Sequence, residues 1–113
     1  ENLSGTGKAE SSAEIKKRVE MARAIQHKRF EGTKITCNAK MDAKSTRKFC
    51  QMTDSAMLIL KTAFERLSLS ARAYDKVLRI ARTIADLDSS EIIETHHITE
   101  AIQYRSFDRR FDE

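Results

Sequence analysis

From residue 33 to residue 113 the chain contains neither glycine nor proline. Tight hairpins draw on those residues for positive or fixed φ, whereas a helix is weakened or broken by them. A stretch of this length without either residue is predicted to be helical throughout, interrupted only by short polar turns. The chain has no proline at all, and its three glycines, Gly5, Gly7 and Gly32, stand in the first third. With 113 residues, 40% hydrophobic and 34% charged, it has enough apolar material for one modest core and enough charge to solvate the outer faces of amphipathic helices. The expected fold is all-α, a bundle of four to five helices whose short loops make sequence neighbours antiparallel.

Apolar spacing locates the helices. Residues 1–11 carry no apolar periodicity and read as a flexible lead-in, the cut edge of a longer chain. Ile15, Val19, Ala22 and Ile25 recur at helical spacing from Ser12 to about Phe30, with Glu14 in the first turn and Lys28 and Arg29 in the last, where the macrodipole favours each sign. Residues 33 to 38 alternate polar and apolar only weakly and read as linker, with one short strand as the alternative. Asp42 or Ser45 caps a short helix through Phe49. Thr53 or Asp54 opens a helix whose Ala56, Met57, Leu60, Ala63, Phe64 and Leu67 form a wide stripe expected in the core. Ser70 caps the next, with Ala73, Val77, Ile80, Ala81, Ile84 and Leu87 as the strongest periodic stripe in the chain. After the polar turn at Asp88, Ser89 and Ser90, Ile92 or Ile93 packs inward and Thr95 caps a last helix through Tyr104. Residues 12–105 thus form the domain and 106–113 a tail.

The net charge of +4 is unevenly spread. Residues 1–50 hold 12 Lys/Arg against 6 Asp/Glu, a balance of +6, and residues 51–113 hold 9 against 11, a balance of −2. A basic half of this kind fits either solvated helix faces or phosphate-rich partners, so a free-standing nucleic-acid-binding module is one reading and a helical protein-interaction module another. Cys37 and Cys50 match no zinc spacing and read as reduced thiols. No apolar run approaches the roughly 20 residues of a membrane span, and no leader pattern opens the chain. A cytoplasmic protein without a membrane partner is expected.

No catalytic centre stands out. Ser4-Gly5-Thr6-Gly7-Lys8-Ala9 fails the spacing of a phosphate loop. His96 and His97, adjacent on a helix, point about 100° apart, which disfavours a shared metal, and no metal site is predicted. Asp86, Asp88 and Glu91 lack the turn glycine and regular spacing of a calcium loop. Arg72 is the exception. It stands in the first turn of its helix, where the macrodipole makes an arginine mildly unfavourable but where its planar fork and the terminal amides could converge on a phosphate. Pairing with Asp75 or Glu65 on the surface is the plainer alternative.

The stretch Leu67-Ser68-Leu69-Ser70-Ala71-Arg72-Ala73-Tyr74, leading into Arg79-Ile80-Ala81-Arg82-Thr83-Ile84-Ala85-Asp86-Leu87, resembles the C-terminal domain of the Mg-chelatase-like AAA+ ATPases, a bacterial family that includes competence proteins. Ser11 to Val19 with Ala22, Arg23 and Gln26, then Cys37-Asn38-Ala39-Lys40-Met41, and finally His97-Ile98-Thr99-Glu100-Ala101-Ile102-Gln103-Tyr104-Arg105 are similar to the family's other blocks in the same order; Lys40 departs from the neutral polar residue usual there. The resemblance implies a helical lid that follows a nucleotide-binding α/β core, and by match it gives Arg72 the sensor-2 role toward the γ-phosphate of ATP. Catalytic groups and the Mg²⁺-binding acids would belong to that core, not to this chain. The implied partners are the core itself and neighbouring subunits of a homo-oligomeric ring. For the parent protein the resemblance implies an ATP-driven DNA motor in recombination of incoming DNA, with metal chelation as the alternative. Arg18 and Arg23 would serve an interface with the core or a neighbouring subunit, or support the fold, and Arg79 and Arg82 either such an interface or a brace to Asp75, Asp86 or Asp88.

Overall fold

The computed structural model describes residues 11–107, with side chains through Tyr104. The proposed lead-in through Glu10, Lys8 within it, and the tail from residue 108 lie outside the described residues. Five α-helices follow one another: α1 (Ser12–Arg29), α2 (Ala43–Phe49), α3 (Asp54–Arg66), α4 (Ala71–Leu87) and α5 (Thr95–Phe107), with a single 3₁₀ turn at Asn38–Lys40 between α1 and α2. The fold is an all-α bundle.

The helix starts are set by short polar side chains. Ser11 accepts from the Glu14 amide at 3.1 Å while Glu14 accepts from the Ser11 amide at 3.0 Å, a complete capping box on α1. Asp42, Thr53 and Ser70 cap α2, α3 and α4 in the same one-sided way. The last helix differs from expectation by one residue. Thr95 is its first helical residue, and the cap position falls on Glu94, whose carbonyl accepts from Ile98. His97 Nδ1 accepts from the Glu94 amide at 2.9 Å, so a histidine takes the part that Glu14 plays in α1. The helix also runs three residues beyond Tyr104 to Phe107, since Arg105, Ser106 and Phe107 contain nothing that breaks it.

Without glycine, α3 and α4 end on serine. Ser68 and Ser89 take φ of 52° and 56°, and the Leu69 and Ser90 amides reach back to the Phe64 and Ala85 carbonyls at 3.1 and 2.8 Å. Both are Schellman closures, in which the left-handed residue is usually glycine. An L-residue there costs roughly 1 kcal/mol in backbone strain.

The core is centred on α4, which packs against α1, α2, α5 and the 3₁₀ turn, while α3 packs on α5. Ala73, Val77, Leu78, Ala81 and Ala85 of α4 are buried together with Leu60, Ile93, Ile98 and Ala101. The alanine-rich face of α4 lets its neighbours approach closely, which is why a chain with few aromatics still fills its centre. Between helices, the Ile93 amide donates to the Gln51 carbonyl and the Thr53 amide to the Ile93 carbonyl, at 2.9 and 3.0 Å, pinning the α2–α3 linker to the α4–α5 linker through the parallel bridge of Met52 and Ile93. Ile93 is buried and Ile92 is exposed.

Two predicted stripes are only half used. On α3, Ala56 and Leu60 are buried, but Met57, Phe64 and Leu67 are exposed, as is Leu58 at 65%. α5 is the main helix packed on α3, with Phe64 also meeting Tyr74 of α4, and the two cover only part of the wide stripe. On α1, Ala22 is buried and Val19 and Ile25 are half-buried, whereas Ile15 stands exposed. The N-terminal turns of α1 therefore reach past the bundle.

Candidate functional site

A buried polar cluster lies at the C-terminal end of α4. There Asp86, fully buried, receives two arginines. Arg29 from the last turn of α1 grips it with both terminal nitrogens, Nη2 to Oδ1 at 2.7 Å and Nη1 to Oδ2 at 2.8 Å, a bidentate fork-to-carboxylate pair. Arg82, one turn back on α4, donates from Nε to Oδ1 at 3.2 Å. Asn38, at the start of the 3₁₀ turn, completes the set: its Nδ2 donates to Asp86 Oδ2 at 2.8 Å and its Oδ1 accepts from Arg29 Nη1 at 2.9 Å. Its own amide is held by Gln26 Oε1 at 3.0 Å.

Arg82 is 2% exposed, and each of its nitrogens has an acceptor. Nη1 donates to the Phe49 and Glu91 carbonyls at 3.3 and 3.0 Å, and Nη2 to the Ser90 carbonyl at 2.6 Å. One side chain thereby holds the C-terminus of α2 and the α4–α5 turn to the body of α4. Burial lowers its pKa, opposed by the Asp86 carboxylate and reinforced by the Arg29 charge. Two guanidinium groups share one carboxylate, so the cluster tolerates no loss of that carboxylate. Beside it, burial pushes the Cys50 thiol up to about 11 despite the nearby arginines. Cys37 and Cys50 are both free.

At the N-terminal end of α4 the arrangement is the opposite. Arg72 is exposed one residue into the helix. Its side chain makes no hydrogen bond or ion pair to any described residue, and neither Asp75 nor Glu65 holds it. Ser70 Oγ accepts from the Ala73 amide at 3.1 Å and the Ser70 carbonyl from Tyr74 at 2.9 Å, leaving the earlier amides of the turn directed outward. The turn is stiffened from the side by Tyr74, whose ring meets Phe64 edge-on at 5.3 Å.

The remaining arginines of the sequence reading are scattered. Arg18 and Arg23 are exposed on α1. Arg79 is half-buried, with its backbone carbonyl accepting from Thr83 Oγ1 at 3.2 Å, and no acidic side chain among the described residues pairs with it. Arg82 braces the bundle through Asp86. Sequence reasoning missed Arg29 and Asn38. Arg29 had been explained by the helix macrodipole alone, and nothing in local spacing announces a partner 57 residues away. The likeness of the Cys37–Met41 block to the family's was the available signal.

A second cluster sits just beyond α4. Asp88 Oδ2 lies 2.9 Å from His97 Nε2 and 3.1 Å from His96 Nε2. The two rings hold the Asp88 carboxyl below its ordinary value, His97 more than His96. The histidines that diverge along a straight helix are brought together here by a shared carboxylate in the preceding turn.

The bundle, with its arginine-bearing α4 flanked by the Asn38 turn and by α5, is the C-terminal domain of a magnesium chelatase type: the family described as magnesium chelatase, subunit ChlI C-terminal, matches residues 9–105, and the chain belongs to it. It is 42% identical over 100 residues to the uncharacterized protein YifB of Escherichia coli, covering 88% of this chain and 19% of that protein. It is 37% identical over 109 residues to the competence protein ComM of Haemophilus influenzae, covering 96% and 21%. The uncharacterized protein Rv2897c of Mycobacterium tuberculosis is 30% identical over 96 residues, covering 85% and 19%. The chain thus spans about a fifth of the length of these relatives. Among the described residues, no helix is long and apolar enough to cross a membrane.

Proposed function

We propose that this domain is the helical lid of a AAA+ ATPase and that Arg72 is its sensor toward the γ-phosphate of ATP bound in a nucleotide-binding core. The observation that carries the reading is the contrast along α4. Every nitrogen of the buried Arg82 has a protein acceptor, whereas Arg72 lies exposed beside helix-terminal amides with no partner among the described residues. An arginine in that setting is preorganised for an anion: the helix end supplies partial positive charge, and the guanidinium fork adds directed donors. When the lid closes, these groups would stabilise charge on the phosphoryl group as it transfers to water. Opening and closing would couple nucleotide state to movement.

The parts this chain does not supply, a phosphate loop and acids for Mg²⁺, belong to the core in this reading. Arg18 and Arg23 on the projecting α1 then face the core or the next subunit of a ring. For the parent protein we favour an ATP-driven motor acting on DNA, supported by likeness to a protein named for competence; insertion of a metal is the rival reading. The test is ATP hydrolysis by a parent chain carrying both core and lid, with Arg72→Ala, alongside a thermal melt of the same variant. Hydrolysis should fall by about two to three orders of magnitude, as for loss of a charge-stabilising donor, with the melt unchanged. Unchanged hydrolysis would make Arg72 a surface arginine and sink the sensor assignment.

A further inference from the structure

The turn between α4 and α5 carries a cluster that neither the Asp86 network nor the proposed role of Arg72 uses. Asp88 Oδ2, His96 Nε2 and His97 Nε2 all lie within 4.8 Å of one another, and the two imidazole rings stand 4.0 Å apart between centroids, tilted by 48°. Asp88 and His96 are on the surface, with side chains 57% and 59% exposed, and His97 is fully buried. The cluster therefore has one anchored donor and two that solvent can reach. His97 is held in place by its complete burial and by the buried Ile98 and Ala101 beside it on α5.

Two imidazole nitrogens and one carboxylate oxygen converging on one point are a donor set suited to a borderline divalent ion. Zinc accepts such ligands at about 2.0 to 2.2 Å in tetrahedral geometry, which puts neighbouring donors roughly 3.3 to 3.6 Å apart. The present separations from Asp88, 2.9 and 3.1 Å, need to widen by only a few tenths of an ångström, and the exposed Asp88 and His96 can make that adjustment. Magnesium and calcium prefer all-oxygen surroundings and fit poorly.

We propose that Asp88, His96 and His97 form a binding site for a divalent transition-metal ion of the zinc type, closed by solvent at the fourth position. Binding exchanges hydrogen bonds for coordination bonds. Each ring that donates from Nε2 to Asp88 must change to the tautomer protonated on Nδ1, its Nε2 proton passing to solvent while Nδ1 takes one up, so that Nε2 can coordinate with no net change in ring charge. For His97 that tautomer can no longer accept from the Glu94 amide, so the ion is bound at the loss of one capping hydrogen bond of α5. The site also clamps the turn that Arg82 grips from the inside through Ser90 and Glu91, fastening α5 to α4 from both sides.

The experiment is calorimetric titration of Zn²⁺ into the full 113-residue chain carrying Cys37→Ser, with Co²⁺ absorption as a spectroscopic check, and the same titrations with His96→Ala and with Asp88→Asn added. Both added substitutions are at exposed side chains and should leave the melt in place. The site predicts one ion per chain, a Co²⁺ spectrum of a nitrogen and oxygen site without a thiolate band, and affinity weakened about tenfold or more in each variant. It also predicts faster amide exchange at Glu94 when Zn²⁺ is bound. Absence of saturable binding, or affinity that neither variant changes, would overturn the proposal. Neither result depends on ATP, so the outcome is separate from that of the Arg72 test.

Discussion

The two ends of α4 carry arginines of the same chemistry in opposite conditions. At the C-terminal end Arg82 is buried and, with Arg29, locked onto Asp86; at the N-terminal end Arg72 is exposed with no partner among the described residues. The helix direction explains part of the difference. Arg29 lies in the last turn of α1, where the macrodipole favours a cation, while Arg72 in the first turn of α4 is slightly opposed by it. The locked end holds the fold together, and the open end takes no part in that network. A fold that needs one end fixed and the other available should answer very differently to substitution at each.

The largest effect is expected at Asp86. Replacing it with alanine leaves two guanidinium groups and Asn38 without their common acceptor inside the bundle, and breaking a buried pair in this way costs about 3 to 5 kcal/mol. For a domain of this size the melting temperature should fall by more than about 10 °C, measured by calorimetry or circular dichroism. A loss under about 1 kcal/mol would mean that water reaches the cluster and that the fold is not locked there.

At the open end the cap is expected to matter more than the arginine. Ser70→Ala removes the acceptor for the Ala73 amide and should cost about 1 kcal/mol, read as a denaturation midpoint. The turn at the locked end gives the opposite sign. Ser89 sits at φ 56°, where glycine is unstrained, so Ser89→Gly should stabilise by about 0.5 to 1 kcal/mol after its added chain entropy is offset. If Ser89→Gly destabilises, its side chain has a role beyond closing α4, and the strain argument for both serine-ended helices fails.

Much of the fold was legible because it depends on local pattern. The absence of glycine and proline pointed to helices, and Asp42, Thr53 and Ser70 were among the helix starts that residue type offers, whereas Ser11, the cap of α1, was read as part of the lead-in. The cap of α5 was misplaced by one residue because Thr95 is a stronger capping type than Glu94, and the His97 side chain that makes Glu94 work is an unusual partner. The wide stripe of α3 was overread: periodicity says which residues share a face, but not how much of that face a neighbour covers. The long-range cluster of Arg29, Asn38, Arg82 and Asp86 was half legible. Arg82 and Asp86 lie one turn apart and could be paired on paper, while Arg29 and Asn38 arrive from other elements. Asp88, His96 and His97 illustrate the same limit, since the rule that adjacent helical histidines diverge takes no account of a carboxylate placed above the helix end.

The smallest expected effect is the sharpest test of the comparison. Arg72→Ala removes a side chain that touches no described acceptor and that the macrodipole slightly disfavours, so the stability of the isolated domain should change by less than about 0.5 kcal/mol in either direction once helix propensity is added. Paired denaturation curves of Arg72→Ala and Asp86→Ala then separate the ends of α4 on one scale. If Arg72→Ala instead costs 2 kcal/mol or more, on the order of a core truncation, the arginine supports the fold, and any fall in ATP hydrolysis by the parent would have to be attributed to a damaged lid instead of a missing phosphate contact. A neutral melt is what gives the loss of hydrolysis its meaning: it locates the function at a residue that the fold itself does not need.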